Sequence, residues 1–511
     1  MTDWTAGFVA DIGYTFGYYL ELNPQRVKLA FLNAGLVAPE FGIACELGFG
    51  QGLSTNVHAA ASITQWSGTD FNPAQAGFAQ ALAAVSGNEA KLYDQAFDEF
   101  AARSDLPEFD YIGLHGIWSW VSDANRAVIV DFIRRKLKVG GVLYISYNTQ
   151  PGWAAMVPMR DLLTEHSEVM GAAGQGLVPR IDAALNFAEK LLATHPNYAK
   201  ANPQVADRVK QIKGQNRNYV AHEYFNRDWM PMSFASMANW LAPAKLEFAC
   251  SANYLDFVEA VNLTQEQQTL LAEIPDAMFR QTVRDFMVNQ QFRKDYWVKG
   301  ARKLSPLEQV EALRVQRVML TSPRADVSLK VNGAVGEASM QETIYNPVLD
   351  ALADHKPKSL GQLEQALKGQ GIGMSQLVQV ILILTGTGAL TAVQDESHVS
   401  KSKKHTDKLN AHLINKSRGS VDISYLASPV TGGGVNVNRF QQLFLLAIEH
   451  GKKQPAEWAS VVWEVLTAQG QKLVKDGKTL ETAEDNLAEL HLQAQAFAAK
   501  QLPILKALQI A

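Results

Sequence analysis

Cysteine is almost absent: the 511 residues include two, Cys45 and Cys250. Two thiols exclude a disulfide framework and a multi-cysteine metal cluster, and no metal site is expected; each thiol reads as a small buried group in apolar surroundings. Excess charge is equally scarce. With 47 Lys+Arg against 51 Asp+Glu, the formal net charge is -4 at pH 7, too balanced for a polynucleotide to be an obligate partner, so no nucleic acid is expected. Long apolar runs are missing, and the longest, residues 378–384, is too short to span a bilayer as a helix. The N-terminus carries Asp3 and Asp11 with no basic region before an apolar run, so no secretory signal is expected and a cytoplasmic location follows. No short period repeats, which excludes a solenoid.

What is present is an ordinary folding composition, 47% hydrophobic and 19% charged, in a chain long enough for two or three domains. Residues 1–40 read as a helical preface, with Pro24 in the first turn of a helix that stops near Gly35. Short apolar strands then alternate with helices. Strands are expected at FGIACEL and at residues 65–70, 90–93, 111–114 and 142–147. The helices between them are expected at 52–62, 73–85 and 123–137, the last capped by Ser122 or Asp123 and ended by Gly140-Gly141. That alternation predicts a mostly parallel sheet covered on both faces. Residues 155–240 read as helical with breaks near 171–179 and 196–203, and the sheet is expected to resume at 246–250. Residues 317–321 are a further strand candidate. Beyond Pro323 come helices near 360–366, 375–384, 439–450 and 456–468. The basic stretch 401–418 reads as polar, residues 400–407 (SKSKKHTD) as an exposed loop and 427–438 (ASPVTGGGVNVN) as another. The expected units are 1–154, an N-terminal cap and sheet core; 155–325, a helical middle region; and 326–511, a C-terminal domain.

The chemistry concentrates where the first strand ends, in Glu46-Leu47-Gly48-Phe49-Gly50-Gln51-Gly52. Gly48 permits a turn where a side chain would collide, Gly50 lets backbone approach a ligand, and Gly52 lets the next helix pack closely. The spacing differs from the G-x-G-x-x-G of dinucleotide sites. Glu46 before the turn suits an ammonium such as the methionyl amine of S-adenosyl-L-methionine (SAM), whereas it would repel a pyrophosphate. Asp70, at the end of the second strand, is placed to hold both ribose hydroxyls. An NAD-linked oxidoreductase is the competing nucleotide reading.

The other strand ends extend the site. After the third, Ala96 and Phe97, with Phe71, are candidate walls for an adenine ring, the alternative for Phe97 being a core aromatic. After the fourth, His115, Trp118 and Trp120 suit a floor under a transferring methyl group, the alternative for His115 being a hydrogen-bonded structural group. After the fifth come Tyr147 and Asn148. Residues 11–20 (DIGYTFGYYL) suit a segment lying against a ligand, with Tyr14, Tyr18 and Tyr19 as a lid; packing is the equal alternative for each tyrosine.

CELGFGQG, FDYIGLHGIWSWV and VLYISYNTQPGW resemble class I SAM-dependent methyltransferases that carry a methyltransferase regulatory domain, a group that includes the outer-membrane-protein lysine methyltransferases of rickettsiae. YVAHEYFN (219–226) and VRDFMVNQQFRKD (283–295) resemble its regulatory segments, and YLASPVTGGGVNV (425–437) a C-terminal block. The resemblance implies an α/β, Rossmann-like fold with a helical middle region and a separate C-terminal α+β domain, for which a winged helix is one expectation. It also implies SAM as cofactor, with Glu46, Gly48, Gly50 and Gly52 in its loop, Asp70 on ribose, Ala96 and Phe97 beside adenine and His115 next to the bound cofactor. Phe49 stands where related loops often carry a small residue.

Methyl transfer from a sulfonium needs alignment more than activation. The expected reaction is transfer to a protein lysine or another amine nitrogen, with Trp118, Trp120 and tyrosines such as Tyr14 and Tyr147 desolvating the amine and His115 relaying its proton. No Asn-Pro-Pro-Tyr or Asp-Pro-Pro-Tyr follows the fourth strand, so a base amine or glutamine amide acceptor has no motif. The expected partner is a protein or peptide acceptor. A small molecule or saccharide is the first alternative, and a non-catalytic interaction protein the second.

Overall fold

The computed structural model describes residues 5, 7–10, 12–172 and 174–511; Asp3, Asp11 and Ala173, which figure in the expectations above, lie outside the described residues. Seven strands form the main sheet: β1 (Ile43–Leu47), β2 (Gln65–Thr69), β3 (Lys91–Tyr93), β4 (Phe109–Leu114), β5 (Leu137–Asn148), β6 (Leu246–Ser251) and β7 (Phe292–Lys299), in the order β3-β2-β1-β4-β5-β7-β6. The first five run parallel, and β7 lies antiparallel between β5 and β6. Parallel neighbours need a crossover, supplied here by helices Leu53–Ala61, Pro73–Ser86 and Asp123–Lys136. Their ends are written in the sequence. Asn72 accepts from the backbone N–H groups of Ala74 and Gln75 to start one helix, and Gly87, at φ +64°, ends it. Ser122 caps another by accepting from Asn125 N–H; such caps each contribute about 1 kcal/mol. The sheet does resume after the helical excursion, with β6 where 246–250 predicts it.

The strand candidate at 317–321 belongs to a different sheet. Arg317–Leu320 lies between Lys358–Ser359 and Leu390–Val393, antiparallel to both. Helices Glu342–Ala351, Leu360–Leu367 and Met374–Gly386 accompany it. The helix and strand content is that of a winged helix, but the central strand comes from upstream of the three helices. A boundary at 325/326 separates that strand from the two it pairs with. One apolar core joins this unit to the main sheet, with Leu22, Phe31, Tyr144 and Tyr296 packed in continuity with Leu363, Leu377 and Ile381.

Residues 400–407 are not a loop. They lie inside the 21-residue helix Glu396–Lys416, which packs on Leu53–Ala61 and Pro73–Ser86. Helix Leu53–Ala61, which a simple α/β protein would leave half exposed, is consequently buried along its whole length. Residues 427–438 are likewise not a free loop but most of a hairpin, in which residues 429–432 turn between strands Tyr425–Ser428 and Gly433–Asn436. Its glycines let it press on the N-terminal segment: a Cβ at Gly434 would stand 2.8 Å from the Tyr18 ring, and Asn23 Nδ2 donates to Thr431 O at 3.0 Å. Among the described residues no single helix is long and apolar enough to cross a membrane.

Candidate active site at the carboxyl edge of the sheet

Gly48, Gly50 and Gly52 all adopt positive φ, at +70°, +57° and +65°, a region that L side chains enter at a cost. They serve different ends. A Cβ at Gly48 would stand 2.5 Å from Ile117 Cδ1, and one at Gly52 would stand 2.4 Å from Ala79 Cβ, where helices Leu53–Ala61 and Pro73–Ser86 meet. Gly48 and Gly50 face a cavity of about 840 Å³, within the ~300–1,000 Å³ usual for ligand sites. Phe49, between them, also borders the cavity, and its side chain is buried against Ala76, Ala79, Ala83 and Leu92. An alanine-rich helix face and Gly68, where a Cβ would stand 2.9 Å from the Phe49 ring, make room for it.

Asp70 points at the bend. Gly50 N–H donates to its Oδ2 at 2.8 Å and Asn72 N–H to its Oδ1 at 3.0 Å. Burial pushes its pKa up to about 6, against the pull of those two donors. Each oxygen keeps a lone pair for a further donor. Phe71, Ala96 and Phe97 line the same cavity as Asp70. Phe8 meets Phe71 edge to face, with ring centroids 5.6 Å apart.

Glu46 is not in the cavity wall. It is buried beneath the bend, where Thr55 Oγ1 of the following helix donates to its Oε2. Burial raises its pKa to about 8, Thr55 opposing and the Asp70 charge adding to the rise. It is a clamp between β1 and the helix, and the expected direct contact with an ammonium is corrected accordingly.

Of the two tryptophans in the turn Trp118–Trp120, one faces each way. Trp118 is fully buried, its Nε1 donating to Met232 Sδ, whereas Trp120 lines the cavity. Tyr147 also points away, its hydroxyl donating to Asp295 at 2.8 Å within a buried cluster with Arg293 and Asp285. Side chains alternate along a strand, and on β5 it is Asn148 that reaches the cavity. The placements of Trp118 and Tyr147 against a substrate are thus corrected.

His115 lines the cavity, stacked on Tyr19 at 3.6 Å between ring centroids, its Nδ1 sharing a 2.8 Å hydrogen bond with the Tyr144 hydroxyl. Burial lowers its pKa to about 4, against the pull of Glu21. A ring that stays neutral down to that pH is a weak proton acceptor. Tyr14 and Tyr19 face the cavity, whereas Tyr18 packs on Tyr425 and His58. This N-terminal wall is tied down: His222 Nε2 bonds Ile12 O at 3.0 Å, Val9 N–H donates to Asn226 Oδ1 at 2.8 Å, and Gln51 Nε2 donates to Tyr14 O at 3.3 Å.

The far wall was not foreseen from the sequence. Helix Arg217–Tyr224 brings Tyr219, His222 and Glu223 to the cavity, joined by Arg208. Burial pushes the Glu223 carboxyl up to about 7, with Asn148 and Arg208 holding it down. Its backbone carbonyl accepts from Trp120 Nε1 at 3.1 Å. A carboxylate within an aromatic-rich helical stretch (YVAHEYF) was the available signal.

Comparison with known proteins fits this geometry. Residues 216–299 match the family described as a predicted methyltransferase regulatory domain. The uncharacterized protein sll1526 of Synechocystis sp. is 41% identical over 512 residues, covering 99% of each chain. RP789 of Rickettsia prowazekii is 26% identical over 187 residues, 36% of this chain and 33% of that protein. The structure of PKMT2 from Rickettsia typhi in complex with AdoHcy superposes with a TM-score of 0.69 at 17% identity, covering 97% of this chain and 99% of that one. The chain belongs to one family with sll1526, has the fold of PKMT2 and contains a segment that matches the methyltransferase regulatory domain. That segment is no appendage: residues 216–299 contain β6, β7 and the Glu223 helix, so they complete both the sheet and the cavity.

Proposed function

We propose that the chain transfers the methyl group of SAM to the amine nitrogen of a protein lysine. SAM supplies an electrophilic methyl carbon on a sulfonium, and the residues present suit it. Gly48 and Gly50 offer bare backbone, Asp70 offers two acceptor oxygens for ribose hydroxyls, and Phe71, Ala96 and Phe97 offer apolar faces for adenine. Tyr14, Trp120, Asn148 and Glu223 add aromatic and acidic groups to the wall of the same cavity. Those groups carry the reading. An alkylammonium finds ring faces for cation–π contact and a carboxylate for its charge, whereas an alcohol acceptor would find no strong base at neutral pH. What this part of the chain does is exclude water and fix the angle of approach. The likeness to PKMT2 supports a protein acceptor. Phe8, Tyr14, Thr15 and Tyr19 wall the cavity on one side, and such a wall suits the alternative, a small-molecule amine.

The test is methyl transfer from radiolabelled SAM to lysate fractions, with mass spectrometry of the products. Methyl-lysine in a protein band is the expected result. Label confined to low-mass compounds would select the small-molecule acceptor. No label, with no binding of S-adenosylhomocysteine by calorimetry, would contradict the reading.

A further inference from the structure

Two polar residues stand side by side in the cavity wall, Asn148 and Glu223. Asn148 is buried, and its side chain is the hydrogen-bonding partner of the Glu223 carboxyl. Its backbone is held firmly: its N–H donates to Ser119 Oγ at 2.8 Å and its carbonyl accepts from Met232 N–H at 3.1 Å. Asn148 lines the cavity from this fixed position on β5. Beside it stands Glu223, on a helix of the regulatory segment, fixed to the sheet edge through Trp120 Nε1.

The groups facing Glu223 come from four elements. Arg208, on helix Gln204–Lys213, lies over the Trp153 ring at 4.6 Å and favours the ionised carboxylate. Tyr219 and Tyr224 flank it on its own helix, Tyr14 approaches from the N-terminal wall, and Asn148 from β5. Asp228 lines the same cavity. The phenols are neutral at pH 7, with Tyr14 pushed up to about 12 by burial and by the Glu223 charge. Arg208 is the one cation among these groups, and burial outweighs it, so the carboxyl titrates near neutrality instead of in the usual carboxylate range.

Resting on the proposed amine transfer, we infer that Glu223 receives the acceptor ammonium and takes its proton, with Asn148 and Trp120 positioning it. The proton leaves the R–NH3+ nitrogen for a Glu223 carboxylate oxygen, giving R–NH2 and a carboxylic acid. The freed lone pair forms the N–CH3 bond as the C–S bond of SAM breaks. The sulfur keeps that electron pair and becomes a neutral thioether, and the positive charge ends on the methylated nitrogen.

The experiment is calorimetric binding of N-acetyl-lysine methylamide to the full chain saturated with S-adenosylhomocysteine, with the Nε-acetylated derivative as neutral control. Glu223→Gln keeps the size of the side chain. The expected result is an affinity for the amine at least ~10-fold weaker in Glu223→Gln, with affinity for S-adenosylhomocysteine unchanged within about twofold. In the wild type the amine affinity should rise as pH passes through about 7, and this rise should vanish in the variant. With an active acceptor, kcat should fall by ~100-fold or more, the usual span for a general base. Equal binding by both proteins, or no amine binding to the wild type, would overturn the inference. Loss of S-adenosylhomocysteine binding in the variant at an unchanged melting temperature would also overturn it, placing Glu223 at the cofactor. If that variant melts lower, Glu223→Asp is measured in its place and judged by the same readouts. Failure of the wild type to bind S-adenosylhomocysteine would instead remove the methyltransfer reading, and this inference with it.

Discussion

Gly50 N–H and Asp70 Oδ2 are joined by a 2.8 Å hydrogen bond, so the bend after β1 and the acid after β2 form one unit. Because both of its oxygens already accept from backbone N–H groups, the carboxylate cannot swing away from the cavity without breaking two partly buried hydrogen bonds.

Asp70→Asn should therefore weaken S-adenosylhomocysteine binding by ~10–100-fold, since an amide presents N–H donors to one of the two backbone N–H groups and accepts poorly from ribose. The pH dependence has a definite sign. In the unliganded protein the pKa of about 6 lies above the ordinary 3.8. Between those values the folded state holds a proton that the unfolded state has lost, so stability declines as pH rises, by at most ~1.4 kcal/mol per pH unit. Ligand hydroxyls favour the ionised form, so affinity should rise from about pH 5 to about pH 7. Calorimetry at three pH values checks this, and the rise should be absent in Asp70→Asn.

The glycines separate stability from binding. Gly52→Ala brings a Cβ to 2.4 Å from Ala79 Cβ at φ +65°. It should cost ~2 kcal/mol or more in urea denaturation through overpacking and backbone strain. At Gly50 a Cβ meets nothing closer than the Tyr14 ring at 3.4 Å. Gly50→Ala should cost only the ~1–2 kcal/mol of its positive φ while weakening S-adenosylhomocysteine binding by at least ~10-fold.

Glu46 gives a second pH signature. Its pKa of about 8 lies above the ordinary 4.5, so it imposes a loss of stability as pH rises through that window. Glu46→Gln keeps an oxygen to accept from Thr55 Oγ1 and has no charge to desolvate. Thermal melts from about pH 5 to about pH 8 should decline less steeply in the variant than in the wild type.

His115 should prove to be a packing group. With its pKa lowered to about 4, it stays neutral across the working range. His115→Gln should lower kcat by loosening Tyr19, on which the ring stacks, without moving the pH limb near 7. Loss of that limb in the histidine variant would restore His115 as the proton acceptor.

How much of this was legible depends on whether a residue's chemistry reveals the face it occupies. The strands β1 to β5 and their helices were, because apolar runs alternate with caps such as Asn72 and Ser122. The helix Glu396–Lys416 was not. Its inner stripe is Val399, Ser402, Thr406, Asn410 and Leu413, all buried, and the three polar members break the apolar period. Asn410 earns its place by bonding Ala427 N–H and C=O, both at 2.8 Å. Trp118 and Trp120 sit in a 3-10 turn, where neither helix nor strand spacing says which ring faces the ligand. Tyr147 and Asn148 could be told apart only by knowing which face of β5 is turned to the cavity. Glu46, read as a ligand contact, was claimed by Thr55 one turn into the next helix. Glu223 lies far downstream of the glycine bend, and only the packing of the regulatory segment brings it to the site.

The central claim is that the cavity beside the bend holds SAM, with its acceptor end at Glu223. The most direct measurement is a crystal structure of the chain with S-adenosylhomocysteine and a lysine-containing peptide. The account predicts ribose hydroxyls on Asp70, the homocysteine end against Gly48 and Gly50, and the lysine nitrogen within hydrogen-bond distance of Glu223. Ligand density elsewhere, or a nucleoside turned so that its ribose leaves Asp70 untouched, would contradict it.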